Sequence, residues 1–88
     1  MKIYYFEYKD IEEDDNKLEI NFDLLRVRRF ITTYNYNGEV ISRNKYTGWW
    51  SVKSKDKLFK VLKNNIGDMD YKTREKYFKF LNDLEEKE

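Results

Sequence analysis

Apolar and polar residues alternate with a period of two through much of the first fifty positions, and recur every three to four residues after Ser51. Side chains alternate across a strand and return to one helix face at 3.6-residue spacing, so the pattern predicts strands followed by helices. Lys2 to Lys9 is rich in β-formers and reads as a first strand. It places Tyr4, Phe6 and Tyr8 on one face and Ile3, Tyr5 and Glu7 on the other, so its inner face is ambiguous. Asp10 to Lys17 is a polar, acidic connection that reads as a solvated loop. In Leu18 to Phe22 the residues Leu18, Ile20 and Phe22 alternate with polar neighbours, as in a half-buried strand. Asp23 marks a turn.

The stretch from Leu24 to Trp50 centres on Asn37-Gly38. Asn-Gly favours a two-residue type I′ turn, because both central positions of that turn need φ > 0. The turn pairs Tyr36 with Glu39, then Asn35 with Val40, Tyr34 with Ile41, Thr33 with Ser42, and so on to Arg26 with Trp49 and Leu25 with Trp50. One face then collects Leu25, Val27, Ile31, Thr33, Val40, Ser42, Tyr46 and Trp50, with Arg29 its only charge. The other collects Arg26, Arg28, Phe30, Tyr34, Tyr36, Ile41, Arg43, Lys45 and Trp49. A three-residue loop pairing Asn35 with Glu39 mixes these sets, so the two-residue turn is preferred. A strand suits residues 21–31 better than a helix, since the arginines then mostly share a face. Gly48 interrupts the return strand, where a bulge or strand end is expected.

Past Ser51, a Ser51 or Ser54 oxygen can cap a helix whose first turn holds Asp56. Leu58, Leu62 and Ile66 line its inner side, with Phe59 and Val61 beside them, while Lys55, Lys57, Lys60 and Lys63 line the outer. Gly67 fits a left-handed stop. Asp70 or Thr73 opens a second helix with Tyr77, Leu81 and Leu84 inward, and the short connection predicts an antiparallel helix pair. The expected fold is a single α+β domain over residues 1–88. It has an antiparallel β-β-β-β sheet of three to four strands (2–9, 18–22, 25–36 and 39–49) and two C-terminal helices (55–66 and 71–86). The helices pack on the face carrying Val27, Ile31 and Val40.

The net charge of +1 hides a division along the chain: residues 1–23 carry −5, residues 24–63 carry +8 and residues 64–88 carry −2. Balance overall argues against indiscriminate nucleic-acid binding, and the basic centre restores that option locally. No stretch approaches the ~20 apolar residues of a membrane span, and Met1 to Asp10 has no signal-peptide core. The absence of cysteine removes disulfides and thiolate metal sites, and a cytoplasmic location is expected. His, Ala, Pro and Gln are also missing, whereas Lys, Asn, Ile, Tyr and Phe supply 41 of 88 residues. Those five take A/T-rich codons, which points to an AT-rich gene of a low-GC bacterium, phage or plasmid.

Without His or Cys the chain lacks the usual neutral-pH base and the strongest nucleophile. It has no G-x-S-x-G elbow, no glycine-rich phosphate loop and no calcium-loop pattern in its acidic stretch. No enzymatic activity, cofactor or metal is expected. The binding set is the basic, aromatic face: Arg26, Arg28, Arg43 and Lys45 for charge, with Phe30, Tyr34, Tyr36 and Trp49 as rings. Arg, Tyr and Trp dominate protein interfaces, and bases stack on exposed rings. The expected function is a small non-enzymatic binding protein that occupies a surface of a larger protein or nucleoprotein. The alternative is a nucleic-acid-binding module, and a homodimer is left open. In size and composition the chain resembles small AT-rich phage proteins that block host or defence machinery, anti-CRISPR proteins among them. No sequence motif carries that likeness.

Overall fold

The computed structural model describes residues 2–88. Four strands, β1 (Ile3–Lys9), β2 (Asp15–Asn21), β3 (Arg26–Tyr34) and β4 (Val40–Ser51), precede helices α1 (Lys55–Asn64) and α2 (Tyr71–Lys87). The strands form one antiparallel sheet in chain order, so the α+β fold expected from the hydrophobic pattern is the fold observed.

β2 begins at Asp15, three residues before the expected Leu18. The acidic connection is shorter than the sequence pattern implies because Asp10 folds it on itself. The Asp10 carboxylate accepts the backbone N–H groups of Glu12 and Asp14 and the side-chain amide of Asn16. Glu13 takes φ 67 to complete the turn. Between β2 and β3, the Leu24 N–H donates to Asn21 Oδ1 and Leu25 turns the chain at φ 50.

The central hairpin corrects the expected turn. Asn35 N–H donates to Glu39 O and Gly38 N–H to Asn35 O, so the loop is the three-residue one, Tyr36 to Gly38. Gly38 sits at φ 82, whereas Asn37 stays at negative φ, so a type I′ turn is excluded. The decisive residue is Asn35, whose Oδ1 accepts from both Asn37 N–H and Glu39 N–H and holds the loop from inside.

Of the expected cross-strand pairs, Thr33–Ser42 is found, but Arg26 faces Ser51 and Val27 faces Trp50. β4 has twelve residues against nine in β3, and the excess is taken up at three register shifts. One shift skips Thr47, whose Oγ1 donates to Arg29 O beside Gly48, where a bulge was expected. Another lies at Asn44, which takes φ 49 and turns its N–H to Thr32 Oγ1. These bulges exchange faces. Tyr46, assigned above to the core side, pairs with Phe30 on the opposite side; Lys45, assigned to the binding side, pairs with Ile31 toward the helices.

The pairings resolve the sheet into rows. Facing the helices lie Tyr4–Ile20–Val27–Trp50, Phe6–Leu18–Arg29–Gly48 and Tyr8–Asn16–Ile31–Lys45. The ambiguity in β1 is thereby settled, with Tyr4, Phe6 and Tyr8 inward. Leu58, Phe59 and Leu62 of α1 and Tyr77, Leu81 and Leu84 of α2 complete the core. Tyr77 OH donates 2.7 Å to Leu62 O, and Lys55 reaches Glu88 O, which fixes the helices in antiparallel sense.

Ser54 caps α1 through Lys57 N–H, and Asp70 caps α2 through Thr73 N–H. α1 ends two residues early, at Asn64. Asn65 closes it through the Leu62 carbonyl, and Gly67 does not take the expected left-handed conformation. The helices cover only one end of the hairpin. Val40, expected beneath them, is exposed, and the molecule extends 42 × 25 × 19 Å. Its radius of gyration of 13.5 Å exceeds the ~12 Å of a compact chain this long, as a projecting arm requires.

Candidate functional site: the open face of the sheet

The face away from the helices has no layer over it. Its rows run Ile3–Asn21–Arg26–Ser51, Tyr5–Glu19–Arg28–Trp49, Glu7–Lys17–Phe30–Tyr46 and Lys9–Asp15–Thr32. Each of the two middle rows therefore combines two rings with two charges. Lys17 Nζ lies 5.6 Å from the Phe30 ring centre and 5.8 Å from that of Tyr5, and Arg28 also lies over Phe30. Phe30 and Tyr46 meet edge to face at 5.8 Å. Tyr5, Tyr46 and Trp49 remain exposed, Trp49 at 55%.

Toward the arm, the face ends in an open cleft of about 550 Å³ lined by Lys9, Asp15, Thr32, Tyr34, Arg43 and Asn44. Tyr34 OH donates to Asp15, and Lys9 Nζ stands 3.5 Å from the same carboxylate. The Tyr34 hydrogen bond, with Lys9 behind it, holds Asp15 below the usual carboxylate range; the same hydrogen bond pushes Tyr34 above the usual phenol range.

The structure thus brings together Arg26, Arg28, Phe30, Tyr34, Arg43 and Trp49 of the expected set. Tyr36 stands apart at the loop tip, 96% exposed, and Lys45 is on the other side of the sheet. The face is less basic than the hairpin alone implies, because Glu7, Asp15 and Glu19 from β1 and β2 share it. Arg28 is tied to Glu19 through its Nε at 2.7 Å. The residues missed, namely Tyr5, Lys17, Glu19 and Tyr46, carried two signals. Inward Leu18 and Ile20 force Lys17 and Glu19 outward, whereas Tyr46 was hidden by the Thr47 bulge.

Two S-x-x-K tetrapeptides occur, Ser42–Lys45 and Ser54–Lys57. Ser42 lies opposite Thr33 in the bulged strand, and Ser54 Oγ is occupied as the α1 cap. Among the described residues no cluster of acids is arranged to hold a metal ion, and no helix is long and apolar enough to cross a membrane. Compared with protein-family models, curated proteins and solved structures, the chain matches none.

Proposed function

We propose that this chain is a small, non-enzymatic, cytoplasmic binding protein that acts by covering a surface of a larger protein with the open face of its sheet. The supporting observation is the pair of middle rows, in which exposed Tyr5, Tyr46 and Trp49 stand among ion-paired and ring-stacked charges. Rings held by a strand lose little freedom on binding, and large amphipathic rings dominate interface energetics. An AT-rich composition and the lack of catalytic residue types fit an inhibitor made by a phage or mobile element against host or defence machinery.

Interleaved charge favours a protein partner over nucleic acid. A phosphate chain crossing this face meets Glu7, Asp15 and Glu19 as well as the cations. The nucleic-acid reading rests on Lys17 between two rings, with Arg26 and Arg43 outside any ion pair among the described residues.

Immobilised chain exposed to a low-GC bacterial extract should retain one specific protein. Trp49→Ala should weaken that capture by more than about tenfold, the effect of losing an interface anchor. Lys60→Ala on the far side should leave it unchanged. Unaltered capture by Trp49→Ala overturns the reading. Oligonucleotide binding that falls steeply with salt, without a protein partner, establishes the nucleic-acid alternative instead.

A further inference from the structure

The sheet has two free edges, and they are built differently. β4 carries three register shifts, Asn44 at φ 49, and exposed Arg43 and Lys45 in its middle. Bulges and charges of this kind keep an edge strand from pairing with another chain. β1 has no bulge and no left-handed residue, and its charges are confined to Glu7 and Lys9. Its seven residues pair with β2 without a shift, contain neither Gly nor Pro, and include Ile3, Tyr4, Tyr5, Phe6 and Tyr8, all strand formers. No backbone hydrogen bond among the described residues reaches β1 from its far side. Alternate N–H and C=O groups along about 23 Å of straight strand are therefore free to pair.

We infer that this edge is a homodimer interface. Two copies join β1 to β1, antiparallel about a twofold axis, into one eight-stranded sheet with all four helices on the same side.

Charge selects both the occupant and the register. With the strands fully overlapped, Phe6 faces its own counterpart, Tyr4 the partner's Tyr8, Tyr5 the partner's Glu7, and Ile3 the partner's Lys9. No like charges oppose one another. Sliding by two residues one way sets Glu7 against its own copy, which is destabilising. Sliding the other way leaves Tyr8 and Lys9 unpaired. With a net charge of +1, two copies meet little long-range repulsion. The dimer also doubles the open face, placing two Tyr5 rings near its centre.

Sedimentation velocity over roughly 1 μM to 1 mM should show the mass rising from 11.0 kDa toward twice that value. The register gives opposite effects at a single position. Ile3→Glu should tighten the dimer and Ile3→Lys weaken it, each by about three- to tenfold, because the new pair with Lys9 forms twice. Within its own sheet residue 3 faces uncharged Asn21, so urea unfolding of the dilute monomer should be similar for both variants. Ile41→Lys, on the opposite edge, should leave association unchanged. A constant 11.0 kDa at every concentration overturns the proposal, as do Ile3 variants that shift the equilibrium in the same direction. A dimer that responds to Ile41→Lys and not to Ile3→Lys overturns it equally.

Discussion

The β3–β4 hairpin runs under the helices at one end and leaves them at the other. Near Val27 and Trp50 the sheet is sealed by Leu58 and Leu62, and Val27 is 1% exposed. Near Thr33 and Ser42 no residue of the core cluster lies on the sheet, and Val40 is 40% exposed although it is the same residue type on the same pair of strands. Strand propensity is similar at both ends, so propensity does not decide burial. What decides it is the reach of two helices of ten and seventeen residues, the first only about 15 Å long, beside a strand of about 40 Å. The covered end is held by a core. The arm is held by backbone pairing, the Asn35 loop and the Tyr34–Asp15 contact.

The largest expected difference between the two ends is energetic. Ile20→Ala removes a fully buried side chain beneath both helices and should cost about 3 kcal/mol, read as a lower urea midpoint at unchanged slope. Ile41→Ala on the arm should stay within about 0.5 kcal/mol. Equal losses would mean that the arm is packed in solution and would end the distinction.

Much of this division was written in the chain, and its limits have physical causes. The 3.6-residue stripe of Leu58, Leu62, Tyr77 and Leu81 identified the helix layer, and the alternation of Leu18, Ile20 and Phe22 identified the sheet face beneath it. Both are signals of burial, and burial repeats along an element. Bulges do not repeat. The extra residues at Asn44 and Thr47 are accommodated locally by side-chain hydrogen bonds, Asn44 also by a left-handed conformation, and a third falls at Ile41, so a constant register carried from the turn drifts by two positions before Val27. That drift moved Lys45 and Tyr46 between faces. Arg26, Arg28 and Phe30 were assigned correctly because they follow the unbroken alternation of β3, and Trp49 because the drift at it is an even number. The basic character of the face was overstated for a different reason. Charge was summed along the sequence, and pairing sets acidic β2 directly beside basic β3.

A tyrosine at each region sharpens the comparison at smaller cost. Tyr8 OH donates to both oxygens of Asp68, which also lies 3.4 Å from Arg29, and this links the connection between the helices to the sheet. Burial, with the Asp68 charge next to it, pushes the Tyr8 phenol well above its usual range. Tyr8→Phe should cost about 1 kcal/mol, because Asp68 loses a donor in a half-buried place. Tyr34→Phe, at the exposed root of the arm, should cost less than half as much in global stability. Matching urea midpoints for the two variants would show that the Asp68 cluster adds nothing beyond a surface contact.

Acid should separate the two regions with the smallest effect. Asp70 is held below its usual range chiefly by the Thr73 hydrogen bonds, Glu88 by Tyr4 and then Lys2, and Asp15 by Tyr34 and then Lys9. A carboxylate lowered in the folded state stabilises it fully above the unfolded value near 4, and that contribution is lost as pH falls through the folded value. Stability should therefore be flat above about pH 5 and decline below about pH 4. Asp15 and Asp70 lie near water, so their part of the decline is gradual. Asp70 and Glu88 anchor α2, and their protonation should lower the global urea midpoint. Asp70→Asn keeps a capping oxygen without the charge, and should flatten that dependence. Asp15 holds the arm through Tyr34, so its protonation should reduce amide protection from Thr32 to Lys45 before the amides of Leu18, Ile20 and Val27 respond. Asp15→Asn should abolish this early step. If arm and core amides lose protection together as the pH falls, the arm is part of the same cooperative unit as the core, and the division drawn from the helix layer is wrong.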